Sequence, residues 1–238
     1  TPTLSTITLN PGPHPFIAYF GQGGGGAGPV DGRTAGQLSW WKTNAFAFGI
    51  DYLGRNDTNV ANYVVVADPG DGSLLTLDGA GLTNQLDVAT TVEVQSGAVI
   101  DFGQSVQTLA GLSGAGTVSN GILTVTGPIT PGGDGTVGTL TVAGSLTPTG
   151  KLRIDVGASG TCDRLAVVGN VNLSALALEV ANPAAMEKSK TYTLATVSGT
   201  RTGTFASLAV PDSRWHAIYS ADGQVRLVFV NGSIISVR

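Results

Sequence analysis

The sequence predicts an all-β fold, and more specifically a β-solenoid in which successive turns of the chain stack on one another. Residues 122–133 (ILTVTGPITPGG) return in similar form as residues 139–150 (TLTVAGSLTPTG), seventeen positions later. Short apolar alternations recur along most of the chain, each followed within a few residues by Gly, Asn, Asp or Pro. Because strands this short bury little on their own, they need neighbours on which to stack.

The repeat has the layout expected of one coil. Leu123 and Val125 are two residues apart and would face one core, and Gly127 would then turn the chain. In the second copy these positions are occupied by Leu140, Val142 and Gly144. We therefore expect each copy to form one coil, with the two copies lying on each other.

Residues 1–50 are predicted to be an irregular N-terminal segment, because they combine five prolines with the glycine run at 23–26 and seven of the fifteen aromatic residues. Proline at this density disfavours regular strand ladders, whereas aromatic rings bury large areas. Two interpretations stay open: the segment covers one end of the stack, or it docks onto a neighbouring subunit.

Residues 51–180 are predicted to form the solenoid. A β-sandwich also fits the turn spacing, but the conserved corners of the repeat and the shortness of the strands favour stacked coils. No segment up to residue 180 has a helical pattern, and residues 183–188 could form at most one short helical turn. The predicted strands are Tyr63–Ala67, Leu74–Leu77, Thr91–Val94, Val99–Phe102, Thr117–Val118, Ile122–Thr126, Thr139–Ala143, Leu152–Val156, Leu165–Val168 and Leu173–Val180.

Residues 181–238 are predicted to form an antiparallel β cap. Aromatic residues return here, and the segments are separated by hairpin-like turns such as the one at 221–224. A solenoid needs a cap, because its last coil otherwise presents an unpaired strand edge.

Composition excludes several classes of function. The net charge is −4 and the basic residues form no stripe, so we expect no nucleic-acid partner. The longest apolar runs are the length of a strand, so we expect no membrane insertion of this segment. A single cysteine, Cys162, rules out an internal disulfide.

The Gly-x-Leu-x-Val-x-Gly-x-Leu run at 138–146, the Thr-Pro-Gly corners and the segments 151–156 and 162–169 resemble the autotransporter-associated β-strand repeat proteins. The order of residues in 192–227 is similar as well, so the resemblance covers roughly residues 90–238. It implies a right-handed parallel β-helix, and a location outside the cell or on the cell surface of a Gram-negative-type bacterium. We expect a chain exported as part of a longer precursor or after removal of a leader.

A β-helix can also carry the catalytic site of a polysaccharide lyase or hydrolase, which needs converging carboxylates. Most aspartates here adjoin Gly or Pro, where they stabilise turns. Asp155 and Asp163, with Arg153 and Arg164, could form a charged cluster, which we interpret as an exposed structural ion pair. We therefore predict no enzyme and no catalytic residues.

Other chemistry is predicted to be absent too. His14 and His216 lie in the two unlike end regions without a partner nucleophile, and Cys162 has no histidine nearby in the sequence. The run 132–136 resembles a calcium-binding fragment, but the second copy of the repeat has no matching aspartate. We predict no metal and no cofactor.

These observations predict a non-catalytic structural protein of a surface layer, stalk or extracellular filament. Two unlike ends on a rod suit open head-to-tail self-association. The alternative is an adhesive or carbohydrate-binding module that uses exposed aromatic rings and takes glycans as partners; a polysaccharide-degrading enzyme ranks last. The residues predicted to mediate self-association are Phe16, Tyr19, Phe20, Trp40 and Trp41 at one end and Trp215, Tyr219 and Phe229 at the other.

Overall fold

The chain is nearly all β with parallel sheets, which confirms the predicted fold class at that level. The computed structural model describes residues 37–39, 46–51, 63–66, 74–77, 81 and 83–231. Within these ranges the only helical segments are two single turns of 3₁₀-helix, Ala158–Gly160 and Pro183–Ala185. No helix in the described part of the chain is long and apolar enough to cross a membrane.

The described residues form strands β1 to β20. In chain order these are β1 (Gln37–Ser39), β2 (Phe46–Asp51), β3 (Tyr63–Val66), β4 (Leu74–Thr76), β5 (Thr91–Val94), β6 (Val99–Asp101), β7 (Val106–Leu109), β8 (Gly111–Gly114), β9 (Thr117–Val125), β10 (Pro128–Pro131), β11 (Thr139–Pro148), β12 (Lys151–Ile154), β13 (Arg164–Val167), β14 (Val171–Asn172), β15 (Ala177–Val180), β16 (Thr191–Val197), β17 (Arg201–Thr202), β18 (Ser207–Ala209), β19 (Trp215–Tyr219) and β20 (Gln224–Phe229).

Parallel pairing arranges these strands in three stacks. Stack A contains β3, β5, β8, β10, β12, β15 and β18. Stack B contains β4, β6, the first parts of β9 and β11, β13 and β16. Stack C contains β7, the second parts of β9 and β11, β14 and β17. From β5 to β18 the chain therefore visits A, B and C in a constant order.

The core follows from this register. In most strands a buried apolar residue alternates with a more exposed one, and residues that pair between neighbouring strands point into the same interior. The result is columns of buried aliphatic side chains, one for each inward position. The main column of stack A is Val64, Val92, Leu112, Ile129, Leu152 and Leu178, and that of stack B is Ile100, Val118, Val142, Val167 and Val197.

The register corrects the interpretation of the repeat. Leu123 pairs with Leu146 in stack C, not with Leu140, which lies in stack B and pairs with Leu165. The offset of seventeen residues between the copies is the length of a coil without a long loop, such as the coil from Leu112 to its partner Ile129. The two copies are displaced from stacking because the loop 132–138, of which residues 134–138 lie between the copies, lengthens this coil. Similar sequences therefore lie on different faces of the molecule.

Close approach between coils explains the glycines at the corner between stacks B and C. Gly121, Gly144, Gly169 and Gly199 lie one above another, at the point where each coil turns. A Cβ at Gly144 would lie 2.2 Å from the carbonyl oxygen of Gly121, and one at Gly169 would lie 2.3 Å from that of Gly144. Strands in a sheet are about 4.8 Å apart, so the backbone of the preceding coil occupies the space of any side chain here.

Regular pairing begins inside the segment predicted to be irregular. Strand β1 pairs antiparallel with β2, and β2 pairs antiparallel with β3. The sequence between Gln37 and Asp51 lacks proline, so nothing in it prevents ladder hydrogen bonds. The antiparallel pair extends stack A beyond its first parallel strand.

At the other end, parallel stacking continues past residue 180. Strands β16, β17 and β18 still pair parallel with β13, β14 and β15, and antiparallel pairing begins only with β20 on β16 and β19 on β20. The predicted strand Leu173–Val180 is also shorter than expected. A turn closed by the hydrogen bond from Leu176 N to Leu173 O, 3.0 Å long, separates β14 from β15.

We predict that Gly144→Ala destabilises the protein by about 3 kcal/mol or more, because the added methyl forces two coils apart. The contact is with backbone, which cannot rotate away. Urea unfolding followed by circular dichroism measures the change.

The matched control is Gly133→Ala. Gly133 has φ +85° and open space around its Cβ position, so only the left-handed conformation is penalised, by about 1 kcal/mol. If both variants lose the same free energy of unfolding, close approach between the coils does not explain the glycine at position 144.

Candidate functional site

The corner between stacks A and B carries the longest loops of the described coils. Two residues join β8 to β9, whereas residues 132–138 join β10 to β11, residues 155–163 join β12 to β13, and residues 181–190 join β15 to β16. We call the last three loops together the loop ridge. At the corner between stacks B and C, and at Gly127 and Gly150 of the corner between stacks C and A, glycines lie against the backbone of the neighbouring coil.

Two buried carboxylates hold the loop ridge together. Asp163 has no exposed surface, and its oxygens accept hydrogen bonds from the amides of Gly138 and Asp155, both at 2.8 Å. Asp155 is 5% exposed and accepts a bond from the amide of Gly135, also at 2.8 Å. The loop 132–138 is thus fixed by side chains that belong to the next coil.

This geometry corrects the expectation of an exposed ion pair. Asp155 and Asp163 are buried and bond backbone amides, while Arg153 pairs with Asp134 and with Glu179. Arg164 is exposed at the start of β13. The surface pairs of Arg153 contribute at most about 1 kcal/mol each, so the amide bonds of the buried carboxylates dominate.

The surroundings of Asp163 raise its pKa to about 6, chiefly because burial disfavours the charged carboxylate. The negative charge of Asp155 adds to this effect, and the two amide hydrogen bonds oppose it. A carboxyl group with this pKa has the acidity of a general acid or base. Its lack of exposed surface, however, keeps it out of reach of a substrate in this conformation.

Asn182 fixes the second loop of the ridge from the coil above. Its Oδ1 accepts a bond from Val156 N at 2.8 Å, and its Nδ2 donates one to Val156 O at 2.7 Å. The third loop is fixed similarly, since the hydroxyl of buried Tyr192 accepts a bond from Glu187 N at 2.7 Å. Each loop is therefore held by side chains outside it or at its ends.

Cys162 adjoins Asp163 and behaves as a protected thiol. It is half-buried, and its Sγ donates a hydrogen bond to Thr193 O at 3.5 Å. Burial, together with the charge of Asp163, raises the pKa of the thiol to about 11. The thiolate is the reactive form, so this environment disfavours nucleophilic chemistry.

The calcium-like run 132–136 lies in the loop ridge. Asp134 is exposed and contacts Arg153, which competes for its carboxylate. Among the described residues no three His, Cys, Asp or Glu side chains are grouped so that they could hold a metal ion.

The three described residues of the predicted self-association set lie at the C-terminal end. Trp215 is 2% exposed, with its ring centroid 5.7 Å from that of Tyr192 and 5.2 Å from that of Phe229. It therefore packs in the core of its own chain and leaves almost no surface for a neighbour.

Phe229 and Tyr219 are partly exposed. The guanidinium of Arg214 lies 4.7 Å and the Lys188 ammonium 5.0 Å from the centroid of Phe229. The Tyr219 hydroxyl accepts a bond from Phe205 N at 2.8 Å. Their role in self-association stays a prediction, and Phe16, Tyr19, Phe20, Trp40 and Trp41 lie outside the described residues, as does His14.

The sequence pointed to Asp155 and Asp163 but not to Asn182 or Tyr192. One signal was present: the aspartate of Asp163-Arg164-Leu165 directly precedes a strand, a position from which a side chain can reach the backbone of the neighbouring coil. The donors lie far away in the sequence, since Gly135 precedes its partner Asp155 by 20 residues and Gly138 precedes its partner Asp163 by 25 residues. The pairs themselves could therefore not be predicted from the sequence.

Comparison with known proteins returns no match in any of three searches, against protein-family models, curated proteins and solved structures. The resemblance to autotransporter-associated repeats therefore stays a prediction.

We predict that Asn182→Ala loosens the loop at 155–163 and destabilises the protein by about 1–2 kcal/mol, because it removes two hydrogen bonds that cross between coils. Hydrogen exchange at the amide of Val156 should accelerate together with this loss.

The matched control is Asn172→Ala, which removes only a local bond from Ser174 N at 3.0 Å. If the two variants lower the free energy of unfolding equally, the hydrogen bonds of Asn182 between coils contribute no more than the local bond of Asn172 does.

Proposed function

We propose that this chain is a non-catalytic structural protein that folds as a right-handed parallel β-helix and associates head to tail in a surface layer, stalk or filament. One observation carries the proposal: three parallel stacks share one core and run through successive coils, so the molecule has two ends, and these ends are built differently. One end carries the antiparallel pair β1 and β2, and the other carries β19 and β20.

The strand edges support open association. Within the described residues, each sheet ends in strands that pair on one side only: β1 and β18 for one sheet, β4 and β19 for the other. Such edges present free N–H and C=O groups that can pair with another chain. A contact between unlike ends does not close on itself and so generates filaments.

The use of polar groups supports a structural role. The buried carboxylates, Asp155 and Asp163, each bond backbone amides. The buried Gln107 likewise bonds the backbone of Leu86, through Leu86 N at 3.0 Å and Leu86 O at 3.0 Å. Groups that would serve chemistry in an enzyme stabilise coils and loops here.

Export to the outside or the surface of a Gram-negative-type cell belongs to the same proposal and rests on the sequence resemblance. A second copy of the chain is the proposed partner. Glycans are the partner in the alternative, an adhesive module.

We predict that Ile218→Lys weakens self-association at least about tenfold, because Ile218 is 45% exposed on the edge strand β19 and a lysine there would place a charge in the contact. Sedimentation at rising concentration measures the shift, and electron microscopy shows whether filaments form.

The matched control is Ile122→Lys, since Ile122 is 55% exposed but lies on β9, which is paired on both sides in stack C, with β7 and with β11. The control should assemble like the parent protein. A parent protein that stays monomeric at high concentration, or equal loss in both variants, would overturn end-to-end association; glycan binding lost on Trp40→Ala would favour the adhesive alternative instead.

A further inference from the structure

Charge is distributed unevenly along the stack of coils. Residues 56–150 contain eight acidic residues and no lysine or arginine, whereas residues 151–238 contain nine lysines and arginines and six acidic residues. Residues 102–133, which include β7 to β10, have no Asp, Glu, Lys or Arg side chain. Because each coil lies on the one before it, this order in the sequence is also an order in space. The first described coils are therefore acidic, and the last coils are basic.

Residues 83–101 form the acidic end. Asp87 lies where the chain leaves stack C of the first described coil and turns towards β5. It is exposed and accepts a hydrogen bond from the amide of Ala89 at 2.8 Å. Asp101 accepts bonds from Gly103 N and from Asn120 Nδ2, both at 2.8 Å. Among the described residues neither aspartate forms an ion pair with a lysine or arginine.

The last full coil, from β15 to β17, forms the basic end. Lys188 and Lys190 lie in the loop that joins β15 to β16, and Arg201 begins β17, the last strand of stack C. The two arginines of the cap, Arg214 and Arg226, pair with aspartates close by in the sequence. In the part of the chain that the structure describes, the three cations of the basic end form no such pair.

Arg201 occupies a position that is apolar in the coils below it. It pairs with Val171, which in turn pairs with Leu146 in the same inward column of stack C. Its guanidinium carbon lies 5.0 Å from the centroid of the Tyr219 ring, and Nη1 donates a hydrogen bond to Gly203 O at 3.3 Å. The Nε atom is enclosed and has no hydrogen-bond partner among the described residues. The column therefore ends in a cation that lacks acceptors.

A guanidinium in these surroundings favours a carboxylate partner. Removal of a cation from water without an anion costs free energy, and the planar donors of arginine match the two oxygens of a carboxylate. Contact with the Tyr219 ring holds the guanidinium in place, so its free donors are already oriented. A carboxylate that reaches this end from outside the coil would supply the missing acceptor.

The two ends of one molecule cannot neutralise each other. Five strand spacings of stack C separate Arg201 from the coil that contains Asp87, which corresponds to about 24 Å. Salt screens charges over about 8 Å at physiological ionic strength. Each end therefore presents its own charge to a neighbouring molecule.

We propose that opposite charge directs the head-to-tail contact: the basic end of one copy binds the acidic end of the next, with Asp87 as the carboxylate partner of Arg201. This contact presupposes the proposed self-association, to which it adds a direction and a chemistry. Asp87 and Arg201 lie at opposite ends of stack C, so coils that continue from one copy into the next bring them together. Like ends repel each other, which disfavours head-to-head and tail-to-tail contacts.

Self-association of the parent protein should weaken as salt is added, because dissolved ions screen the charges across the contact. We expect the dissociation constant to rise at least about tenfold between about 50 mM and about 500 mM NaCl. Sedimentation velocity measures it. A dissociation constant that stays the same or falls over this range would show that charge does not direct the contact, and the proposed self-association would stand.

Charge reversal tests the pairing directly. Arg201→Glu and Asp87→Lys should each weaken self-association at least about tenfold, because each places like charges across the contact. A one-to-one mixture of the two variants should assemble again, since every contact in an alternating filament then joins opposite charges. The matched control is Arg164→Glu, at an exposed arginine on β13, which is paired on both sides, with β11 and with β16. It should assemble like the parent protein.

The outcomes separate the two proposals. If the parent protein assembles but the mixture assembles no better than each variant alone, the paired charges do not direct the contact, and the proposed self-association stands. A parent protein that stays monomeric at low salt overturns both. If circular dichroism shows that Arg201→Glu is unfolded, Lys188→Glu, at an exposed position of the same coil, replaces it in the mixture.

Discussion

The fold depends on the stacking of one coil on the next at the distance of a single strand spacing. This spacing aligns aliphatic residues into shared columns, such as Leu112, Ile129 and Leu152, which no single coil could bury. It also sets the sequence of the corners, since the backbone of one coil fills the space beside Gly144 and Gly169 of the next. The corner between stacks B and C therefore holds glycine in successive coils, and the longest loops lie at the corner between stacks A and B.

The corner between stacks A and B, which carries the loop ridge, is where the coils differ most from one another. Its loops lengthen from one coil to the next, and each is held by side-chain to backbone hydrogen bonds rather than by an apolar core of its own. Asp163 and Asn182 each contact backbone in a neighbouring loop, so the ridge is a linked series rather than three independent insertions. Coupling of this kind explains why buried carboxylates are present in a protein proposed to be structural.

The sequence allowed much of the fold to be predicted, because period-two alternation and turn residues act locally. Thr91–Val94 was predicted with the observed bounds, and Val99 and Leu165 were placed in strands that the structure contains. Strands β7, β8 and β10 were missed; β8 and β10 contain glycine or proline, which resemble turn residues, whereas in β7 the polar Gln107 occupies a buried position and breaks the apolar alternation. Of the candidate site, the sequence predicted only the pair of aspartates. Whether an aspartate is buried depends on the coils above and below it, and its own segment does not reveal which coils these are.

By itself the sequence determined the all-β class, the short strands, and the glycines that turn the chain, because each of these follows from the chemistry of a few adjacent residues. Only the tertiary structure decided which strands lie on each other. The similar segments at 122–133 and 139–150 could have stacked directly, but the inserted loop displaced them, so that Leu123 pairs with Leu146. Register between coils depends on the total length of chain per turn, and that length includes loops whose path no local pattern encodes. The same reason placed Asp163 in the interior, where its charge is costly, rather than on the surface.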